Sequence, residues 1–490
     1  MKIKLIAPAR KPEWGESFWD LKTLCKLTGR KAGGAPLALP TLAALTPSDT
    51  EVILTDENVE PINFDEKVDL VGITGMTCVI PRSYEIADEY RKRGVPVVMG
   101  GIHVSMLPEE TIQHCDSVVI GEAEEIWEQV VRDAQKNNLQ KFYRTSGFPN
   151  LINTPIPRWN LLKNNKYFYF TIQSGRGCPY DCEFCSVKVF NGRKYRHKTI
   201  EQVVEEVKTL QKIDSKKVIF FTDDNILAVP KYTEELMAKL TPLKIKAWWA
   251  QASINRLKDN KILESMYKAG CRVVFVGFES VSQKSLDTMN KSRINKVEEY
   301  KEMVDRVHSH RIAIFGSFVL GSDNDKEDIF TETTKFINKN NIVFSMVNII
   351  TPFPASKLYE KLEKEKRILH KNWEQYNAES VCFKPCLMSE ESLQQNHKNI
   401  VKEIYSYEGM YERLTSAWEK GIFVRDKKGF RTLFSLGRFI FTLKSLSLID
   451  RRRRKFILRS LWNKNITSVS AISSALNYHD YTEGLKNVTL

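Results

Sequence analysis

The chain lacks the long apolar core of a signal peptide; it opens on MKIKLIAPAR, which reads as a strand. It lacks paired cysteines as well. There are nine, an odd number, and six of them (Cys25, Cys78, Cys115, Cys271, Cys382 and Cys386) are scattered. A disulfide framework is therefore not expected, and a reducing cytoplasm is the expected home. No repeat of solenoid period is present. What is present suits packed cores: 42% hydrophobic and 10% aromatic residues exclude wholesale disorder. A length of 490 residues points to two or three domains.

The net charge of +14 is concentrated. Residues 422–464 hold thirteen Lys and Arg against two acids, so this one stretch carries +11. The remainder is nearly balanced. A DNA partner is not expected, and RNA is disfavoured because aromatic interleaving is sparse and no RNA-binding module is visible.

Over residues 1–150, Val/Ile-rich runs (KIKLIAP, Glu51 to Leu54, VDLVGITGM, VPVVMGG, DSVVIGE) alternate with helical patterns such as PRSYEIADEYRKRG and LPEETIQHC. That alternation predicts a parallel sheet covered on both faces, a doubly wound, Rossmann-like α/β domain. Gly-rich turns follow the strands at 72–77, 100–103 and 121–124, where such sheets bind ligands. Residues 151–165, with NTPIPRWNLL, read as a linker. A second βα series follows over 166–365, with strands expected at 167–173, 217–222, 247–252, 272–278, 313–320 and 342–350. Six strands with crossover helices suit a partial (β/α)6 TIM-type barrel better than a second open sheet. Residues 366–490 read as a mainly helical extension.

The stretch SGRGCPYDCEFCSV places Cys178, Cys182 and Cys185 in a CxxxCxxC pattern, with no fourth Cys or His in the same loop. A closed structural zinc site wants four ligands. Three thiolates suit a four-iron cluster with one iron left open, since iron–sulfur clusters are held by cysteine thiolates. Gly175, Gly177 and Pro179 allow the backbone to wrap closely around such an object.

With its aromatic Phe184 ahead of the last cysteine, CPYDCEFC resembles the signature of the radical S-adenosylmethionine (SAM) superfamily. The resemblance implies a [4Fe-4S] cluster on Cys178, Cys182 and Cys185, whose open iron chelates SAM, and an electron donor such as flavodoxin or ferredoxin. It places further SAM contacts on Thr222, Asp223 and Asp224, on Gln251 and Ser253, and on Glu279 and Ser280. The usual Gly-Gly-Glu is replaced here by Thr-Asp-Asp. Helix N-capping competes as the role of Asp224 and Ser280.

The front domain, through TGMT, RKRGVPVVMGGIHVSMLPEE, SVVIGEAEEIW and PIPRWNLL, resembles that of the cobalamin-binding radical SAM proteins. The resemblance implies a corrinoid lined by Thr74, Gly75, Met76, Thr77, Gly100, Gly101, His103, Gly121 and Glu122. The Asp-x-His-x-x-Gly of methionine-synthase-like domains is absent, so no histidine of this chain is expected below cobalt. His103 is expected to stabilise a turn. The implied activity is radical methylation of an unactivated carbon, with SAM as methyl donor and radical source. The C-terminal region more faintly resembles hopanoid C-2 methylases and bacteriochlorophyll side-chain methyltransferases, implying an apolar lipid, polycyclic or tetrapyrrole substrate.

The basic stretch, with Arg451 to Lys455 beside Phe456, Ile457, Leu458, Leu461 and Trp462, suits an interfacial helix on the inner face of a membrane; a solvated helix packed on the barrel is the alternative. Two other activities compete. One is a non-methylating cobalamin radical SAM cyclase or oxidoreductase. The other is a tRNA methylthiotransferase, which would need Cys25, Cys78 and Cys115 for a second cluster.

Overall fold

A computed structural model of the chain describes residues 1–15, 17–422, 455–456, 459 and 477–482, so most of the basic stretch lies outside the described residues. In chain order the strands are β1 (Lys2–Ala7), β2 (Ala32–Gly34), β3 (Glu51–Asp56), β4 (Leu70–Thr74), β5 (Val97–Gly100), β6 (Ser117–Ile120) and β7 (Phe142–Arg144). There follow β8 (Tyr167–Ile172), β9 (Gly175–Arg176), β10 (Arg196–His197), β11 (Val218–Phe221), β12 (Trp248–Ala252), β13 (Cys271–Glu279), β14 (Ala313–Leu320) and β15 (Phe344–Ile349). Two compact units result. One comprises Met1–Trp14, Gly34–Ala228 and Thr351–Phe383, the other Gly15–Gly33, Val229–Ile350 and Lys384–Leu490.

In the first unit a six-stranded sheet runs in the order β3-β1-β4-β5-β6-β7, parallel throughout. The chain winds outward from β1 in both directions, so β1 and β4 flank the point where the strand order reverses. Such a point opens a crevice beyond the carboxyl ends of the strands. Buried Val71, Ile73, Val97, Met99 and Val118 pack under the helix Ile80–Lys92, which contributes Ile80, Ile86, Ala87 and Tyr90. The continuous apolar strands of the sequence are thus explained by cover on both faces. Of the helix expected over LPEETIQHC only one turn forms, Pro108–Thr111, and a separate short helix, Ile102–Met106, precedes it. Pro108 has no N–H to continue the first helix.

The segment Thr351–Phe383 also belongs to this core, through Tyr359, Trp373, Tyr376 and Cys382. Trp373 Nε1 donates to Glu110 at 2.9 Å, and its ring lies edge-on to His103 with centroids 5.1 Å apart. Parallel β8 and β11 belong to the same unit, joined by the helix Ile200–Asp214, which begins with a Thr199–Gln202 capping box.

In the second unit β12, β13, β14 and β15 pair in parallel in chain order. They are four of the six strands expected over residues 166–365, and β8 and β11 are the other two. Alternation is clear in β12, where Trp248, Ala250 and Ala252 are buried while Trp249 and Gln251 are half-buried. Residues 366–389 are mostly irregular, and the helices Glu390–Ile404 and Tyr407–Glu419 follow them. Among the described residues no helix is long and apolar enough to cross a membrane.

Trp373→Ala removes a buried aromatic together with the donor to Glu110. It is expected to cost about 3–5 kcal/mol, read as a lower urea midpoint by circular dichroism.

Candidate active site

The crevice predicted by the strand order is a cavity of about 390 Å³. That falls within the usual range for small-molecule sites. Its floor comes from Ile6 of β1, from Gly72 and Thr74 of β4, and from the turns at Gly100–Gly101 and Gly121–Glu124. Leu39 and Leu42, from the helix Ala38–Leu45, make one wall apolar. Gln173, Arg176, Asn191, Thr222 and Asp224 line it from the second βα series. The cavity is therefore shared by the front sheet and the flanks of the cysteine loop.

That loop is held at several points. It begins after β8 at Ser174, whose N–H (3.0 Å) and hydroxyl (2.5 Å) both donate to the Asp223 carboxylate, as does Tyr195 Oη at 2.7 Å. Asp223 is fully buried, and burial pushes its pKa upward against those three donors. Asp224 accepts from Gly177 N at 2.8 Å and from Asn191 Nδ2 at 3.0 Å; burial raises its pKa as well. Asp181, inside the loop, accepts from Lys188 and Lys357 at 2.7 Å each, and these two bonds lower it to about 2. Gly177 has φ +96°, and a Cβ there would lie 2.4 Å from the Lys194 carbonyl, so only glycine lets the chain turn into Cys178. Cys182 is buried, Cys178 and Cys185 are half-buried, and all three are free of disulfides. Among the described residues no three His, Cys, Asp or Glu groups are placed to hold a single metal ion. Iron–sulfur clusters take their ligands from cysteine thiolates, the donor type this loop offers three times.

A buried ion cluster connects the two parts. Glu122, whose side chain is 2% exposed, accepts from Arg176 Nη1 at 2.6 Å and from Arg196 Nη1 at 3.1 Å, and also pairs with Arg196 Nη2. Arg176 Nη1 also meets Glu124 at 2.6 Å, and its Nε donates to Gln173 at 2.6 Å. Burial alone would lower the Arg176 guanidinium, but the two carboxylates outweigh it and hold the pKa raised. Arg176 and Arg196 sit on paired strands, since β9 and β10 run antiparallel.

The residues expected around a corrinoid divide into two groups. Thr74, Gly100, Gly101, Gly121 and Glu122 line the cavity, whereas Gly75, Met76, Thr77 and His103 do not. Met76 is 58% exposed. His103 is fully buried, with Nδ1 3.3 Å from Thr77 Oγ1 and Nε2 3.4 Å from Glu110. It sits in a packing role beside Trp373.

The residues expected around SAM fall in both units. In the first, Thr222 and Asp224 line the cavity, Asp223 is buried under the loop, and Phe184 is half-buried within it. In the second, Gln251 and Ser253 are half-buried at the end of β12. Glu279 ends β13 with φ +62° and pairs with Lys291 at 2.9 Å. Ser280 is buried and accepts from Ser282 N at 3.1 Å, while Ser282 itself caps the next helix. Of the thiols considered for a second cluster, Cys25 and Cys115 are buried, and burial pushes each up to about 12. Sequence reasoning missed Arg176, Arg196, Gln173 and Asn191. The available signal was an arginine set between two glycines in SGRGC.

Glu122→Ala leaves two guanidinium groups buried and is expected to cost about 3–5 kcal/mol. Glu89→Ala, at an exposed pair with Arg93, is expected to leave the thermal midpoint unchanged. Thermal unfolding of the two variants side by side checks the contrast.

Residues 172–337 match the family described as "Radical SAM superfamily" and residues 31–131 the "B12 binding domain"; residues 356–488 match "Domain of unknown function (DUF4070)". The chain is 32% identical over 389 residues to a bacteriochlorophyllide d C-12(1)-methyltransferase of Chlorobaculum tepidum, covering 77% of this chain and 84% of that protein. It is 27% identical to the hopanoid C-2 methylase of Rhodopseudomonas palustris, covering 70% of this chain and 67% of that protein. Its fold is like that of TsrM from Kitasatospora setae, a radical SAM methyltransferase solved with cobalamin and a [4Fe-4S] cluster. That likeness has a TM-score of 0.61 at 16% identity, over 74% of this chain and 78% of the other. With a B12-binding front domain, a radical SAM barrel and relatives that match along most of their length, the chain belongs to the cobalamin-binding radical SAM family.

Proposed function

We propose that this enzyme is a C-methyltransferase acting on an unactivated carbon of an apolar polycycle, such as a tetrapyrrole or a hopanoid-like lipid. The observation that carries the reading is the shared cavity: the turns of the B12-binding sheet and the flanks of the cysteine loop face one space. Its cofactors are a [4Fe-4S] cluster, SAM and cobalamin. When bound, they supply an electron, a methyl group with a hydrogen-abstracting radical, and a methyl carrier respectively.

The residues present suit these groups. Cys178, Cys182 and Cys185 would hold the cluster. Thr74, Gly100, Gly101, Gly121 and Glu122 would hold the corrinoid; Gly101, at φ +110°, has no room for a Cβ, which would lie 2.9 Å from the Gly75 carbonyl. Phe184, Thr222, Asp223, Asp224, Gln251, Ser253, Glu279 and Ser280 would surround SAM. Within that set Asp223 acts as a brace, because its carboxylate oxygens accept from Ser174 N and Oγ and from Tyr195 Oη. His103 is committed to Thr77 and Glu110, so cobalt would receive no histidine from these turns. The apolar wall of Leu39 and Leu42 excludes water from the space, which keeps a reactive intermediate from being quenched. An electron donor of the flavodoxin or ferredoxin kind, and contact of the basic stretch with an anionic membrane surface, complete the reading.

Anaerobic reconstitution with cobalamin is expected to give about four irons per chain together with one corrinoid. The Cys178→Ala/Cys182→Ala/Cys185→Ala variant should lose the iron and keep a corrinoid. Gly101→Val should lose the corrinoid and keep the iron. With candidate tetrapyrroles or lipid extracts, label from methyl-deuterated SAM is expected in the product carbon skeleton. Turnover without label in the product would assign a non-methylating reaction.

A further inference from the structure

The four charges of the buried cluster belong to two pieces of backbone with different tasks. Glu122 and Glu124 stand on the turn after β6 that forms part of the cavity floor, and Arg176 and Arg196 stand on the β9–β10 ribbon. Arg176 precedes Cys178 by two residues, with only Gly177 between them. The loop therefore cannot shift at its first cysteine without moving Arg176, and Arg176 cannot leave without taking one of two guanidinium partners from Glu122. The cavity turn is bound in the same way, since displacing Glu122 takes a carboxylate from both arginines. A desolvated pair of this kind is either made or broken, because a half-open state keeps an uncompensated charge away from water.

We propose that this ion cluster couples the two cofactor sites, so that corrinoid occupancy of the cavity strengthens cluster binding by the cysteine loop, and cluster loading strengthens corrinoid binding by the same factor. The inference rests on the reading that the cavity takes the corrinoid and the loop the cluster. Whichever group binds first holds its own piece of backbone in place, and through the Arg176–Glu122 pair it holds the other piece as well. Reciprocity of the two affinities follows from linkage. Arginine suits the task because its planar fork engages Glu122, Glu124 and Gln173 at once, which the point charge of a lysine does not.

The test is a ratio of corrinoid affinities. Hydroxocobalamin is titrated, by absorbance and tryptophan quenching, into anaerobically reconstituted protein and into the Cys178→Ala/Cys182→Ala/Cys185→Ala variant. The cluster-loaded protein is expected to bind about tenfold more tightly, inside the usual span of coupling between sites. In the Arg176→Gln background the ratio is expected to fall to about one, whatever the loss of this cavity-lining side chain does to the absolute affinity of both forms. Lys357→Ala removes an exposed partner of Asp181 in the same loop and should leave the ratio intact. If Arg176→Gln loses its far-ultraviolet circular dichroism, Arg176→Lys serves, and a reduced ratio is expected. A ratio of one in the otherwise unmodified chain, or an unchanged ratio in a folded Arg176 variant, overturns the coupling. Failure of the reconstituted chain to bind hydroxocobalamin saturably rejects the corrinoid reading itself, and the coupling with it.

Discussion

The carboxylate of Glu122 is the constraint on which the first unit turns. It lies on a glycine turn at the end of a parallel strand, out of contact with water, between two guanidinium groups of the β9–β10 ribbon. A buried ion pair contributes little to net stability, because desolvation offsets attraction. What such a pair does well is fix one arrangement, since every alternative leaves a charge unpaired in a medium of low polarity. Here the arrangement it fixes sets the cavity floor against the first residues of the cysteine loop.

Around that centre, neighbouring carboxylates act on the backbone. Asp223 and Asp224, which follow β11, spend their oxygens on Ser174 N and Oγ, Gly177 N and Asn191. Parallel strands bring such turns together at their carboxyl ends. The loop itself has almost no regular hydrogen bonding, so its shape comes from side chains reaching in from β6, β10 and β11, and from Gly177 with its positive φ. A cofactor loop built this way can stay open at the cysteines while being rigid at its ends.

Much of this was legible in the sequence. The strand at Ala313–Leu320 falls where its apolar run predicted, and β8, β11, β12, β13 and β15 lie within two residues of their expected ends. Strong apolar periodicity survives any tertiary context. Of the helix over LPEETIQHC only the first turn forms, with Pro108 at its start. His103, chosen from a glycine-rich turn, proved to face the core: one residue further along the chain a side chain points elsewhere, and Trp373, distant in sequence, closes over it. Ser280 likewise is buried, and the cap of the following helix is Ser282.

The sequence by itself determined the chemistry on offer: three thiols at a spacing that leaves one iron open, two βα series, and glycines at the turns where ligands approach backbone. Those features are local, since spacing, periodicity and the reach of a Cβ act over a few residues. Only the tertiary structure decided which polar residues face the cavity and which are spent as braces. Arg196 carries no motif, Arg176 and Glu124 lie in motifs that do not say they pair, and Asp223 differs from Asp224 in nothing the sequence records. Their roles come from desolvation and pairing between groups 28 to 74 residues apart, and these exist only once the strands have placed them side by side.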